Sequence, residues 1–352
     1  MPNMKQVAKM AGVSLGTVSH VLNDSAGVSE QLRRRVLEVV ETLGYQPSQL
    51  ARGLRRDKTN MIGMIIPDIT NPFFPAVVRG AEDAAFSNGY RLVLCNTDNN
   101  EAKEVSYMNE LKTFLPAGMI VIPSNSGEAA MQAHESVTGG SALVCLDRLP
   151  RHWQGDTITF ATAEGAARAT NHLLELGHTR IATITGPLHL SNAADRLKGF
   201  RSAMKQAKIS IPKDYILEST FDGSGGHNSA LQLLKLSPRP TAIFAQNDLM
   251  AMGVLSAIRE LGLHCPADIS VFGFDGLEIT NLMTPTLASV EQPGYQLGSV
   301  GVKVLLERVN NPTRKYTHLV LPSKLRLGGS IGPPPSESGP KGKVLSKRRK
   351  SA

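Results

Sequence analysis

The chain changes rhythm at Met61. Before it, apolar and polar residues follow helical spacing; after it, short solid apolar runs alternate with longer helical stretches. Asn3 can cap a first helix, Met4–Met10, with Gln6 three residues on as in a capping box. Ala11-Gly12-Val13 is a tight turn. Ser14 caps a second helix, Leu15–Leu22, which stops at Asn23-Asp24. A third runs from Ser29 as cap through Glu30–Leu43. Val36, Val39, Val40 and Leu43 form its apolar stripe, and Gly44 ends it. Two short helices joined through a three-residue turn with Gly follow the helix-turn-helix plan, whose second helix enters a DNA major groove. Val18 and Leu22, four apart, are expected to face the three-helix core.

Pro47 and Ser48 can start a further short helix through Arg56. Gly53 weakens it by about 1 kcal/mol relative to Ala, and it is too short to be stable alone. Asp57–Asn60 is a polar link. Strands are then expected at Met61–Ile66, Tyr90–Cys95, Gly118–Ile122 and Ala142–Leu146, with helices at Ala76–Asn88 and Ala102–Leu115. The alternation resumes with strand Arg180–Ile184, helix Ala194–Lys208, a strand near Tyr215–Leu217 and helix Gly226–Leu236. Strand Thr241–Ala245, helix Asp248–Leu261 and strand Ile269–Phe272 follow. Buried strands alternating with helices make an α/β fold of parallel sheets covered on both faces. The two halves begin alike, which suggests two similar lobes facing a cleft, with ligand at the carboxyl ends of the strands.

Charge sharpens this division. Residues 1–60 carry nine Lys and Arg against five Asp and Glu, and residues 331–352 carry six against one. The middle, 61–330, carries 23 against 24, so a near-neutral body lies between two basic ends. That suits a body that binds a neutral ligand and an end that meets phosphates. The run Lys347–Lys350 reads as part of a solvated tail, and everything after Gly332 is Pro/Gly/Ser/Lys-rich and expected to be disordered. Cys95, Cys145 and Cys265 lie far apart and suit buried, reduced thiols; no metal spacing is present, and no metal or cofactor is expected. Without a membrane-length apolar stretch or a signal-peptide core, a cytoplasmic location and no membrane partner are expected.

The run Val7-Ala8-Lys9, Ala11-Gly12-Val13-Ser14 and Thr17–Asn23, together with Leu50–Leu54, resembles the lactose-repressor (LacI) family of bacterial regulators. The resemblance covers roughly residues 3–330. The body resembles periplasmic sugar-binding proteins, and Gly89–Thr97 and Gly177–Pro187 look especially like ribose-operon members. It implies a helix-turn-helix domain over 1–46, a hinge helix and linker over 47–60, a two-lobed sugar-sensing domain over 61–330, and a tail over 331–352.

By that resemblance, Leu15, Gly16 and His20 hold the base-reading positions. His20 can hydrogen-bond a base edge and Leu15 can pack on a thymine methyl; Gly16 permits close approach. Thr17, Ser19 and Asn23 suit phosphate contacts that set register. In the hinge, Ala51, Leu54 and Arg55 lie at DNA, with Leu54 as a minor-groove wedge and Arg52, Arg55 and Arg56 near phosphates. A two-fold dimer implies a palindromic operator. For the ligand, the resemblance points to Asn71, Asp147, Arg148, Arg196, Asn247, Asp275 and Gln292 for hydroxyls, with Phe73, Phe74 and Phe221 for ring faces. Such a set binds a neutral sugar, since planar polar groups each hold two hydroxyls and aromatic rings cover apolar faces. As a whole it favours a pentose such as ribose. A hexose inducer or a purine co-repressor remains the alternative.

Rival classes fare worse. A free sugar-binding protein has no use for residues 1–56. An enzyme lacks support, because there is no Gly-x-Ser-x-Gly elbow, P-loop, dinucleotide fingerprint or metal cluster. Asp222-Gly223-Ser224-Gly225-Gly226 resembles a serine-protease motif only faintly and reads as a turn before a helix. The Pro333–Pro335 tail cannot form the leucine-heptad helix of a tetramer, so a homodimer is expected. Cleft closure on ligand would alter DNA affinity by typically 1–3 kcal/mol, in a direction the sequence leaves open. If Leu54 is the wedge, Leu54→Ala weakens operator binding far more than non-specific binding in a salt-controlled titration. Equal losses on both DNAs would remove the wedge.

Overall fold

A computed structural model describes residues 2–22, 27–45, 59–114, 116–125, 142–150 and 152–336. Asn23, the hinge residues Ala51, Arg52, Leu54, Arg55 and Arg56, and the Lys347–Lys350 run lie outside the described residues. The N-terminal bundle is α1 (Met4–Ala11), α2 (Leu15–Leu22) and α3 (Glu30–Thr42). Its capping box forms on both sides: the Asn3 amide donates to Gln6 Oε1 at 2.9 Å and the Gln6 amide to Asn3 Oδ1 at 3.0 Å. Ser14 Oγ accepts from the Thr17 amide at 3.0 Å and so caps α2. Ser29 stands at the start of α3 without a side-chain cap bond. Val7, Ala11, Val18, Val21 and Val36 close the small core, with Leu22, Val39, Val40 and Leu43 half-buried around it.

The body is two six-stranded sheets. The first lobe holds β1 (Met61–Ile66), β2 (Arg91–Asn96), β3 (Gly118–Val121), β4 (Ala142–Leu146), β5 (Asp156–Phe160) and β11 (His318–Leu321), ordered 11-5-4-3-1-2. The second holds β6 (Ile181–Thr185), β7 (Ile216–Glu218), β8 (Ala242–Ala245), β9 (Ser270–Asp275), β10 (Ala288–Glu291) and β12 (Lys324–Arg326), ordered 12-10-9-8-6-7. Every pairing is parallel except β10 with β12. Helices α4 (Phe73–Ser87), α5 (Glu101–Thr113) and α10 (Gly294–Asn310) cover the first sheet. Helices α6 (Thr162–Glu175), α7 (Ser191–Gln206), α8 (Gly223–Leu233) and α9 (Asp248–Glu260) cover the second. The chain therefore crosses between lobes three times: after β5, after β10, and between β11 and β12. Near-repetition of one strand order puts two switch points, β1/β3 and β6/β8, at facing carboxyl ends.

Several expected boundaries shift for physical reasons. α4 starts at Phe73, three residues before the expected Ala76. Asn71 Oδ1 accepts from the Phe73 amide at 3.1 Å, and Pro75 falls in the first turn, where its missing N–H is harmless. α7 starts at Ser191 rather than Ala194. The segment after Asp222 is not a turn before a helix but the first turn of α8 itself, capped by Asp222 Oδ1 on the Gly225 amide at 2.7 Å. Strands β5, β10, β11 and β12 and helices α6 and α10 have no counterpart in the sequence expectation. Cys145 is buried, but Cys95 and Cys265 are only half-buried; none of the three is in a disulfide, and burial pushes the Cys265 thiol up to about 12.

The ordered body also runs past its expected end. The Gly332 carbonyl accepts from His178 Nε2 at 2.8 Å and from Ser270 Oγ at 3.1 Å, and Pro334 packs on Gly177. Gly332 and Pro334 thus lie against the second lobe.

α4 and α10 touch backbone to backbone. A methyl added at Gly80 would collide with the Tyr295 carbonyl, and one at Gly298 with the Val77 carbonyl. Gly298→Ala should therefore force the pair apart and cost about 1–3 kcal/mol in urea unfolding. An unchanged midpoint would show that the helices have room to part.

Candidate ligand cleft and nucleic-acid interface

On α2, Val18 and Val21 point inward, which turns Leu15, Gly16 and His20 outward; Leu15 is 44% exposed. Thr17 and Ser19 are half-buried on its flank. Thr17 Oγ1 lies 3.0 Å from Ser14 Oγ, so the helix start and this hydroxyl are fixed together.

The second cluster forms where the two lobes face each other. Each member stands at the carboxyl end of a strand. Asn71, Phe73 and Phe74 follow β1; Asp147 and Arg148 follow β4; Asn192 and Arg196 follow β6 in the first turns of α7. Phe221 follows β7, Asn247 follows β8, and Asp275 ends β9. These ten side chains line one cleft. Gln292 lies on the crossover after β10, outside that lining, and reaches the cluster through Arg196. The free space among them is about 10 Å³, room for about one water, and a larger space of about 850 Å³, bordered by Phe73, Asp275 and Gln292, opens beside it.

Arg196 is the centre of the cluster. It is 3% exposed. It donates to the Gln246 carbonyl, to Asp275 Oδ1 at 3.2 Å and to Gln292 Oε1 at 3.1 Å. Its guanidinium lies 4.0 Å from the Phe274 ring centroid and 5.6 Å from that of Phe221. Across the cleft, Arg148 donates to Asn99 Oδ1 at 2.8 Å and sits 5.7 Å from the Phe74 ring centroid; burial lowers its pKa. Asp147, in the left-handed region at φ 58°, accepts from Asn192 Nδ2 at 3.0 Å. Four buried polar atoms here have no protein partner: Asp147 Oδ1, Arg148 Nε, Arg196 Nε and Gln292 Nε2. A buried polar atom without a partner costs about 1–3 kcal/mol, so this cluster is built to meet hydrogen-bonding groups from outside. Asn247 differs: its Oδ1 caps α9 on the Met250 amide at 2.8 Å and its Nδ2 donates to the Phe221 carbonyl at 3.0 Å.

Two family models match the chain: bacterial regulatory proteins of the lacI family over residues 3–48, and a periplasmic binding protein-like domain over 170–331. The ribose operon repressor of Escherichia coli (strain K12) is 39% identical, covering 94% of this chain and all of that one. The HTH-type transcriptional repressor PurR of Aliivibrio salmonicida (strain LFI1238) is 36% identical over 88% of this chain and 93% of its own. The chain belongs to the lacI family of bacterial regulatory proteins. Among solved structures, a lac repressor dimer bound to operator and an anti-inducer superposes with TM-score 0.85 at 26% identity, covering 94% of this chain and 99% of that one. A lacI-family regulator from Enterococcus faecium with bound ribose superposes with TM-score 0.70 at 30% identity, covering 78% and 99%.

In this lacI-family regulator, Asn192 is the cleft residue that sequence reasoning missed. It lies four residues before Arg196, on the same helical face, but an expected helix start at Ala194 left it outside. No cluster of metal-binding type occurs among the described residues, and none of their helices is long and apolar enough to cross a membrane.

Burial pushes Asp275 up to about 8 despite the pull of Arg196, and pushes Asp248 behind it up to about 6. A carboxyl raised on folding favours the folded state while protonated and loses that advantage as pH rises through its folded value. The ligand-free body should lose stability as pH rises from about 4 to about 8, most steeply between about pH 4 and pH 6, where both carboxyls hold their protons only in the folded state. Asp275→Asn should flatten the upper part of that fall in urea unfolding midpoints. A wild-type profile that rises through this window would contradict the assignment.

Proposed function

We propose that the protein is a transcriptional repressor of a sugar-utilisation operon that acts in the cytoplasm as a homodimer on a palindromic operator. Its operator affinity is controlled by a small sugar, a pentose such as ribose, held between the two lobes. The α2 face of Leu15, Gly16 and His20 reads bases, Thr17, Ser19 and Asn23 meet phosphates, and Ala51, Leu54 and Arg55 engage the operator centre. The sugar's hydroxyls pair with Asn71, Asp147, Arg148, Arg196, Asp275 and Gln292, and Phe73, Phe74 and Phe221 cover its faces. Asn192 joins the hydroxyl set, while Asn247 supports Phe221 from behind.

The observation that carries this reading is the set of four buried polar atoms left without partners around one small cleft. Their chemistry mixes acceptor (Asp147 Oδ1) and donors (Arg148 Nε, Arg196 Nε, Gln292 Nε2), which is what a polyhydroxylated neutral molecule satisfies. The names of the ribose operon repressor and of the ribose-bound regulator agree with a pentose. A purine co-repressor is the second reading, because Phe73, Phe74 and Phe221 also offer faces for a flat base. Isothermal titration separates the two. Ribose should bind with measurable heat, and glucose and hypoxanthine should give none. Heat with hypoxanthine or glucose and none with ribose would replace the pentose.

A further inference from the structure

The turn that presents Asp275 is also fastened to the chain segments about which the lobes must rotate. Asp275 has φ 111°, a region seldom occupied by any residue but glycine, so the turn persists only because its surroundings hold it. The Gly276 amide donates to Ser289 Oγ at 3.1 Å, and the Leu277 amide to Asp248 Oδ2 at 2.7 Å. Ser289 Oγ donates in turn to Asp248 Oδ1 at 2.6 Å. Gly276 lies flat on the last residue of β10, where the second crossover begins: a Cβ there would stand 2.6 Å from Glu291 Cα. The Gln292 amide, on that crossover, donates to the Asp275 carbonyl at 3.1 Å. The Leu277 side chain packs into the apolar core of the opposite lobe.

Arg326 ties these pieces together. It sits on β12, directly after the third crossover, and its side chain is 15% exposed. It donates to the Gly276 carbonyl at 3.3 Å, the Leu277 carbonyl at 3.4 Å and Thr280 Oγ1 at 2.5 Å, and pairs with Glu291 Oε1 at 3.5 Å. One guanidinium thus joins the Asp275 turn to the second crossover through Glu291 and to the third through its own strand. It is not among the ten residues that line the cleft, and borders the adjoining space next to Phe73, Asp275 and Gln292.

We propose that Arg326 is a positioning residue that couples occupancy of the Asp275 carboxylate to rotation of the two lobes, without touching the sugar. This rests on the sugar reading above. A pull on Asp275 moves Gly276 and Leu277, and the rigid five-donor fork of Arg326 carries that shift to both crossovers at once. Without the fork, the turn can adjust to ligand while the crossovers stay where they are.

The test measures ribose affinity by calorimetry and operator affinity by fluorescence anisotropy, with and without saturating ribose, in the full chain. Arg326→Met should keep ribose affinity within about threefold, yet reduce the ribose-induced change in operator affinity by about tenfold. Arg326→Lys, which keeps the pair with Glu291, should recover part of the response. Thr280→Val removes one acceptor of Arg326 together with the hydroxyl bond to the Leu277 carbonyl, and should lower the response by a smaller step with the fold intact. A full response in Arg326→Met overturns the proposal, as does a response lost only in proportion to ribose affinity. If the wild type binds no ribose, the pentose reading falls and this proposal falls with it. If the wild type binds and responds but Arg326→Met responds equally, only the coupling role is refuted.

Discussion

A single buried guanidinium sets the terms for the body of this protein. Arg196 is taken out of water at the mouth of the second sheet, and a buried cation is tolerated only when its charge and donors are met. Asp275, Gln292, the Gln246 carbonyl and the faces of Phe221 and Phe274 supply this from four separate segments. Those segments must therefore converge, and they do so because parallel strands all deliver their carboxyl ends to one edge. The near-repeat of strand order across the lobes makes the opposite face supply its own set, Asn71, Asp147 and Arg148, in the same manner. The result is a cleft whose buried donors and acceptors are not saturated with hydrogen bonds, which suits a polar effector.

The same residues that compensate Arg196 also hold the lobes in relation to each other. Gln292 lies on a crossover, and Asp275 leads into a turn that bears on Glu291 and on the core of the far lobe. Ligand chemistry and lobe geometry are therefore not separate parts joined by a long path. They share a turn of three residues, Asp275 to Leu277, kept in a costly backbone conformation by Asp248, Ser289 and Arg326. A turn held under backbone strain beside the ligand groups is a short route from ligand contact to lobe geometry.

The sequence carried the reading head and the alternation of strands and helices clearly, because both are written in local periodicity and cap residues. Asn3, Gln6 and Ser14 cap where their types say they should. It carried the starts of α4 and α7 poorly. In α4 a proline three residues in looks like a breaker but sits harmlessly in the first turn; in α7 the missed start concealed Asn192. Strands such as β5, Asp156–Phe160, escaped notice because polar residues alternate along them, and their burial comes only from the sheet around them. Convergence of Arg196 with Gln292, 96 residues apart, is a tertiary fact with no local signature, so it came from family resemblance rather than from periodicity. Near the end of the body, Pro-rich composition suggested disorder after Gly332, while Pro334 still lies against Gly177.

The central claim of the account is that the cleft around Arg196 senses a small sugar and reports it to the DNA-reading bundle. The most direct measurement is the affinity of the full-length protein for its operator, titrated at fixed salt with and without saturating ribose. The account predicts a change of roughly 5–150-fold, the range of ordinary allosteric coupling, and no change for a variant in which Arg196 is replaced by Ala. Identical operator affinity with and without ribose in the wild type would contradict it.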